Sequence, residues 1–262
     1  MVRPLRQNSG TGIYHVMLRG INKQIIFECA NDYRRFVELL KQMTNPIDEN
    51  NNPLPPRCNF YAYCLMPNHV HLLIQEKNES LSMGIKRIAA AYALYYNKKY
   101  ERQGHLFQDR FKSEPVADAT YFFTLLRYIH QNPVAGRLCN CVDDYKWSSW
   151  WEYVKKDSLC PAVCSTSSVL KRMPREELIA IVNDPLPKTL RILDFDKNIS
   201  TVSDEEACEF LIQTFSLQKP TDLQLYDKKR RNDILKEAKA YGASIRQLSR
   251  LTGISIGIIR KT

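Results

Sequence analysis

The sequence has little long-range hydrophobic character. None of its 262 residues falls in an apolar run approaching the ~18 residues that a membrane-spanning helix needs, which excludes a transmembrane class. The opening Met1-Val2-Arg3-Pro4-Leu5-Arg6 has no apolar stretch behind it, so no signal peptide is expected and the chain reads as cytoplasmic. The eight cysteines lack a regular metal-ligand spacing. Cys139-x-Cys141 and Cys160-x3-Cys164 are irregular and dispersed, so free thiols are expected in place of a zinc knuckle. Histidine is scarce, with five in the chain, and acid is in deficit, with 28 Asp+Glu against 38 Lys+Arg.

The resulting charge of +10 is unevenly spread. Residues 1–150 carry +6, residues 151–225 carry −3 and residues 226–262 carry +7. Two basic segments joined by an acidic one suit surfaces for a polyanion, although a solvated basic face has the same composition. The apolar fraction of 44% is that of an ordinary globular protein with material for a core. The length allows one large domain, or a medium one with a small companion.

Asn59–Gln75 is the most informative stretch. Asn59–Leu65 is aromatic and apolar, Met66-Pro67-Asn68 has turn chemistry, and His69-Val70-His71-Leu72-Leu73-Ile74 begins a second strand. Alternation puts His69 and His71 on one face, with Cα atoms roughly 6.5–7 Å apart, and Val70 on the other. Two imidazoles so placed can converge on one metal ion. The pattern alone equally describes two half-exposed strand histidines with no joint role.

Around it, Gly12–Arg19 reads as a first strand. A helix follows, capped by Asn31-Asp32, with Phe36, Val37, Leu39, Leu40 and Met43 as its stripe. The proline-rich Asn45–Arg57 is a loop. Leu81–Tyr100 is a second helix, Gly104–Val116 a turn entering a fourth strand, and Ala119–Gln131 a third helix stopped by Asn132-Pro133. The order β-α-β-β-α-β plus a helix predicts an α+β, ferredoxin-like split βαβ antiparallel sheet with helices on one face and the histidine strand central. On the third helix, Phe122, Leu125, Leu126 and Ile129 form the buried sector. Tyr121, Tyr128 and Asn132 line its edge, with Tyr128 and Asn132 one turn apart, and His130 points away from Tyr128.

The His69-Val70-His71 strand occurs in order with Phe107-Gln108-x-Arg110-Phe111-Lys112-Ser113, Tyr128-Ile129-His130-Gln131-Asn132-Pro133 and Trp147-Ser148-Ser149. Together, across about residues 10–155, they resemble the single-tyrosine HUH transposases of the insertion-sequence-200 type, most closely the REP-associated tyrosine transposases. The resemblance implies the HUH endonuclease fold, with His69 and His71 as metal ligands, Tyr128 as nucleophile and Asn132 as the third ligand. It also implies a divalent ion, Mg²⁺ or Mn²⁺, and single-stranded DNA with hairpin structure as partner, acted on by a monomer or homodimer near the bacterial nucleoid. Attack by Tyr128 would give a 5′-phosphotyrosine and a free 3′-OH. A phenol with a pKa of ~10 needs help to attack, which a metal at the phosphate can give. Arg87, Arg110, Lys112 and Arg127 are candidate phosphate contacts, while His105 and His130 read as structural or DNA-proximal.

Residues 156–225 read as a helical linker region and residues 226–262 as a DNA-binding module, leaving 1–155 as the catalytic domain. In the tail, Ser249 sits in a first helix, Gly253 makes the turn, Ser255 can cap a second helix, and Leu248, Ile254 and Ile259 are anchors. This is a helix-turn-helix pattern for duplex DNA, with Arg246, Arg250 and Arg260 as contacts. Two rival functions fit part of the pattern: a domesticated DNA-binding regulator without catalysis, and a metal-dependent phosphodiesterase that uses water.

Overall fold

The computed structural model describes residues 7–154, 160–186, 192, 204–243 and 245–262. The chain forms two compact units, Met1–Leu193 and Asp194–Thr262. This differs from the expected division at 155 and 225. Residues 160–186 pack into the first unit, and a helix at Asp204–Phe215 packs into the second. Short apolar runs there complete the core of each unit.

The first unit is built on strands β1 (Ile13–Arg19), β2 (Cys58–Met66), β3 (His69–Glu76) and β4 (Lys112–Pro115), in the order β2-β3-β1-β4. Every neighbouring pair is antiparallel, with Met17 opposite His71 and Arg19 opposite His69. This is the split βαβ plan, with the histidine strand internal. The turn at Pro67-Asn68 is tied from outside: the backbone N–H of Ile26 bonds the Pro67 carbonyl at 2.8 Å, and that of Gly20 bonds the Asn68 carbonyl at 2.9 Å. A side chain at Gly20 would collide with the Gln24 carbonyl oxygen, so that approach requires glycine.

Helices α1 (Ala30–Thr44) and α2 (Leu81–Lys99) cover one face of the sheet. The predicted α1 stripe of Phe36, Val37, Leu39, Leu40 and Met43 is buried against Val16, Leu18, Val70 and Leu72. Each such side chain contributes ~1.5–3 kcal/mol by leaving water. The cap lies two to three residues earlier than expected: Cys29 is the N-cap. Asp32 reaches back to the backbone N–H groups of Cys29 (3.1 Å) and Glu28 (2.8 Å).

Helix α3 (Ala119–Ala135) corrects two expectations. It covers the opposite face, so the helices are not confined to one side. It also runs through Asn132-Pro133. A proline removes one helical hydrogen bond, but Pro133 is buried, and the last turn is closed by Gly136 N–H to the Asn132 carbonyl at 2.8 Å. Phe122, Leu125, Leu126 and Ile129 are buried as their spacing predicts. Shorter helices α4 (Trp150–Val154), α5 (Thr166–Leu170) and α6 (Arg175–Asn183) complete this layer.

The second unit is helical: α7 (Asp204–Phe215), a 3-10 turn at Pro220–Leu225, α8 (Lys228–Tyr241), α9 (Ile245–Thr252) and α10 (Ile256–Lys261). Leu248, Ile254 and Ile259 are buried there with Leu211, Leu223, Ile234 and Leu235. Gly253 takes φ +72°, the turn conformation glycine tolerates. Ser255 stands at the N-cap of α10, but its side chain makes no capping bond. Among the described residues no helix is long and apolar enough to cross a membrane.

Candidate active site

Strand β3 brings His69 and His71 to the α3 face and sends Val70 into the opposite core. Their rings lie 5.0 Å apart at 80°. His69 Nδ1 meets Asn68 Oδ1 at 2.6 Å, which orients the ring from the turn. His71 is fully buried, and its Nδ1 lies 3.1 Å from His15 Nε2. Its Nε2 is buried without a hydrogen-bond partner among the described residues. Burial, then the neighbouring imidazoles of His69 and His15, hold the His71 pKa well below 6.5, so the ring is neutral at neutral pH.

Helix α3 lowers Tyr128 onto this pair. Its ring is 5.6 Å from that of His71, at 88°, and 5.9 Å from that of His15, at 79°. Asn132 lies one turn further on. Its Nδ2 donates to the Tyr128 carbonyl at 2.9 Å, and its Oδ1 accepts no hydrogen bond among the described residues. Tyr121 lies on the same helix edge, where burial and the adjacent Glu114 raise its phenol pKa above the usual range.

These donors fit a divalent cation. An unsatisfied buried polar atom costs ~1–3 kcal/mol, so the neutral, partnerless Nε2 of His71 is suited to a ligand. Among the described residues no three His, Cys, Asp or Glu side chains converge as a metal set. The third donor that the family resemblance implies is the Asn132 amide oxygen. Two imidazoles with an amide oxygen do not discriminate between Mg²⁺ and Mn²⁺, which both favour oxygen ligands.

Two buried polar residues of this face escaped the sequence reading: His15, fully buried, and Arg19, 7% exposed. Both alternate with Ile13 and Met17 on β1, and Arg19 is opposite His69 in register. The signal was available as a histidine and an arginine four residues apart, on one face of an otherwise apolar strand.

The basic residues divide. Arg110 is exposed with no ion pair among the described residues, and Lys112 is exposed at the start of β4. Arg87 is paired with Glu79 at 2.8 Å. Arg127 is held by the Asp184 and Pro185 carbonyls and by the Asp184 carboxylate at 2.7 Å. Gln131 adds bonds to the Val182 and Asp184 carbonyls, so this edge of α3 anchors residues 182–186. Arg250 pairs with Asp204 at 2.5 Å, and Arg260 is exposed. The Arg246 side chain lies outside the described residues.

His130 is structural. It is fully buried against the Trp150 and Tyr153 rings, with Nε2 2.8 Å from Ser149 Oγ, and burial pushes its pKa down to about 3. The Trp147-Ser148-Ser149 motif runs beside β2. Leu65 N–H bonds the Trp147 carbonyl, and Ser149 N–H bonds the Tyr63 carbonyl, both at 2.9 Å. That motif fastens α3 to the sheet. His105 is exposed.

A split βαβ sheet with histidine, hydrophobic residue and histidine on an inner strand, beneath a helix tyrosine, describes the single-tyrosine transposases. Residues 10–132, just under half of the chain, match the sequence model described as Transposase IS200 like. The protein is an enzyme of the single-tyrosine HUH transposase type, as its motifs suggested. A relative from Haemophilus influenzae, provisionally assigned as a REP-associated tyrosine transposase, is 25% identical over 131 residues, covering 44% of this chain and 74% of its own. A solved structure of a REP-associated tyrosine transposase bound to a REP hairpin is similar at TM-score 0.49 and 14% identity, across 74% of this chain and 100% of that one.

Proposed function

We propose that this chain nicks and rejoins single-stranded, REP-like hairpin DNA, with Tyr128 as nucleophile. The observation that carries the reading is the burial of the partnerless His71 Nε2 beside the Tyr128 ring, inside the stretch that matches the family. The Tyr128 oxygen bonds to phosphorus and gives up its proton as the P–O3′ bond breaks. The 3′-oxygen takes a proton and leaves as a 3′-OH, with the 5′-phosphate on the tyrosine. The linkage conserves the bond energy, so the 3′-OH can reverse the step without ATP.

His69, His71 through Nε2, and Asn132 through Oδ1 would hold a divalent cation. When bound, the cation offsets phosphate charge and draws electron density from phosphorus. The chain's own residues set the geometry: Asn68 orients His69, α3 aims the phenol, and the covered sheet face limits water. Exclusion of water favours transfer to a 3′-OH over hydrolysis.

Arg110, exposed and without an ion pair among the described residues, is the better placed phosphate contact; Lys112 is exposed at the start of β4, and Arg87 and Arg127 serve partners within the fold. The second unit reads as a duplex-binding helix-turn-helix formed by α9, Gly253 and α10, supported by the buried anchors and exposed Arg260. Its basic helices share a core with acidic α7, so residues 194–262 hold 12 Lys+Arg against 10 Asp+Glu, a smaller excess than the tail alone. Cutting at residue 226 would split that core; removal after Leu193 respects it. Chemistry should survive that removal.

The test is incubation of labelled hairpin oligonucleotides with Mn²⁺, followed by a denaturing gel. A covalent protein–DNA band supports the reading. Cleavage without an adduct, undiminished in Tyr128→Phe, would favour the water-using phosphodiesterase, and binding alone would favour the regulator.

A further inference from the structure

We infer that His15 is a positioning residue: its Nε2 accepts the Nδ1–H of His71 and so holds His71 in the tautomer whose Nε2 lone pair is left for the cation. The inference rests on the reading of His71 as a cation ligand and assigns a role to a residue outside the nucleophile and ligand set.

The geometry is specific. Met17 is opposite His71 in the register, which makes His15 the diagonal neighbour of His71 across the central strand pair. Both residues are fully buried. Their rings lie 5.3 Å apart at 15°, and His15 Nε2 and His71 Nδ1 are 3.1 Å apart. A neutral imidazole has one donor nitrogen and one acceptor nitrogen, so the contact allows two arrangements.

If His15 donates, the His71 proton sits on Nε2. That N–H would then be buried with no acceptor among the described residues, and the nitrogen could not bind a cation. If His71 donates, the His15 proton sits instead on its equally buried Nδ1, so burial alone does not choose the direction; a cation on His71 Nε2 does. In that arrangement His71 Nε2 carries the lone pair. Metal-binding histidines generally give their second N–H to an acceptor in this way, which fixes ring and tautomer. Here the acceptor is another imidazole.

The same contact argues against His15 as a third ligand, because its Nε2 is already engaged by His71. It also gives a physical reason for placing a polar side chain among Ile13, Met17 and Leu73, where an apolar residue would pack at lower cost. A hydrogen bond that served only the fold would require neither direction of donation.

The full-length chain, without DNA, should be titrated with Mn²⁺ and followed by electron paramagnetic resonance. Wild type, His71→Ala, His15→Phe and His15→Gln should be compared, with folding checked by circular dichroism. His15→Phe should lose about 10- to 100-fold in Mn²⁺ affinity while folded. His15→Gln, whose amide oxygen can accept the same proton, should recover most of it. Imidazole nitrogen chemical shifts of wild type should place the His71 proton on Nδ1. That measurement decides the case if His15→Phe does not fold.

A folded His15→Phe with unchanged Mn²⁺ affinity, or shifts placing the proton on Nε2, would overturn the inference and leave the ligand reading standing. Wild type and His71→Ala that bind Mn²⁺ alike would remove the ligand reading, and this inference with it.

Discussion

The two faces of the central sheet are both covered by helices, yet they are built from different material. Beneath α1 and α2, the strands contribute Val16, Leu18, Phe60, Val70, Leu72 and Ile74, which are apolar and buried. Beneath α3, the same strands contribute His15, Arg19 and His71 alongside Ile13, Met17 and Leu73. Burying polar groups costs stability unless each finds a partner. The first face therefore explains why the domain folds, and the second carries what folding alone does not require.

The largest effect that would sharpen this contrast lies at the nucleophile. Tyr128→Phe keeps the ring and removes one oxygen from the polar face. Cleavage and adduct formation should fall by at least about a thousand-fold, as for loss of other covalent nucleophiles, with hairpin affinity little changed. Burst-phase cleavage assays with filter binding would check both.

Next comes a matched pair of neighbours on β3. His71→Ala should abolish Mn²⁺-dependent cleavage. Leu72→Ala, on the other face, should cost ~2–5 kcal/mol of stability through the cavity it leaves, while the folded fraction keeps its activity. Urea unfolding and cleavage rates on both variants break the comparison if Leu72→Ala proves inactive while folded.

A third test uses the other buried histidine. In the unfolded chain His130 protonates near 6.5, and in the fold near 3. Between those values the unfolded state binds more protons. Stability from this group is therefore complete above about pH 6.5 and falls as pH drops toward about 3. His130→Gln, which can still meet Ser149, should flatten the acid limb of urea midpoints measured from pH 7 to pH 4, without changing the metal requirement.

The smallest effect separates exposed from committed arginines. Arg110→Ala should reduce the log–log salt slope of DNA binding by about one. Arg127→Ala should leave the slope alone and loosen residues 182–186, which hydrogen exchange would detect.

Much of this was legible beforehand because period-two and helical patterns are local. The alternation of His69, Val70 and His71 and the stripe of α3 follow from spacing alone. The helix over Asn132-Pro133 was not legible, since tertiary burial of Pro133 outweighs the local bias against it. Nor was the covering of the second face, which depends on where α3 crosses the sheet. His15 required the β1–β3 register, a long-range fact. Arg127 read as a phosphate contact because its partner Asp184 lies 57 residues away.

The central claim is that Tyr128 makes the covalent bond to DNA, and mass spectrometry of the trapped adduct tests it most directly. Trypsin cuts after Arg127 and Arg137, so the nucleophile falls in a peptide of residues 128–137 with a single tyrosine. After reaction with a hairpin oligonucleotide, digestion by nuclease and trypsin should leave the nucleotide mass on Tyr128. Modification at Tyr121 or another tyrosine, or efficient cleavage that leaves every tyrosine unmodified, would contradict the account.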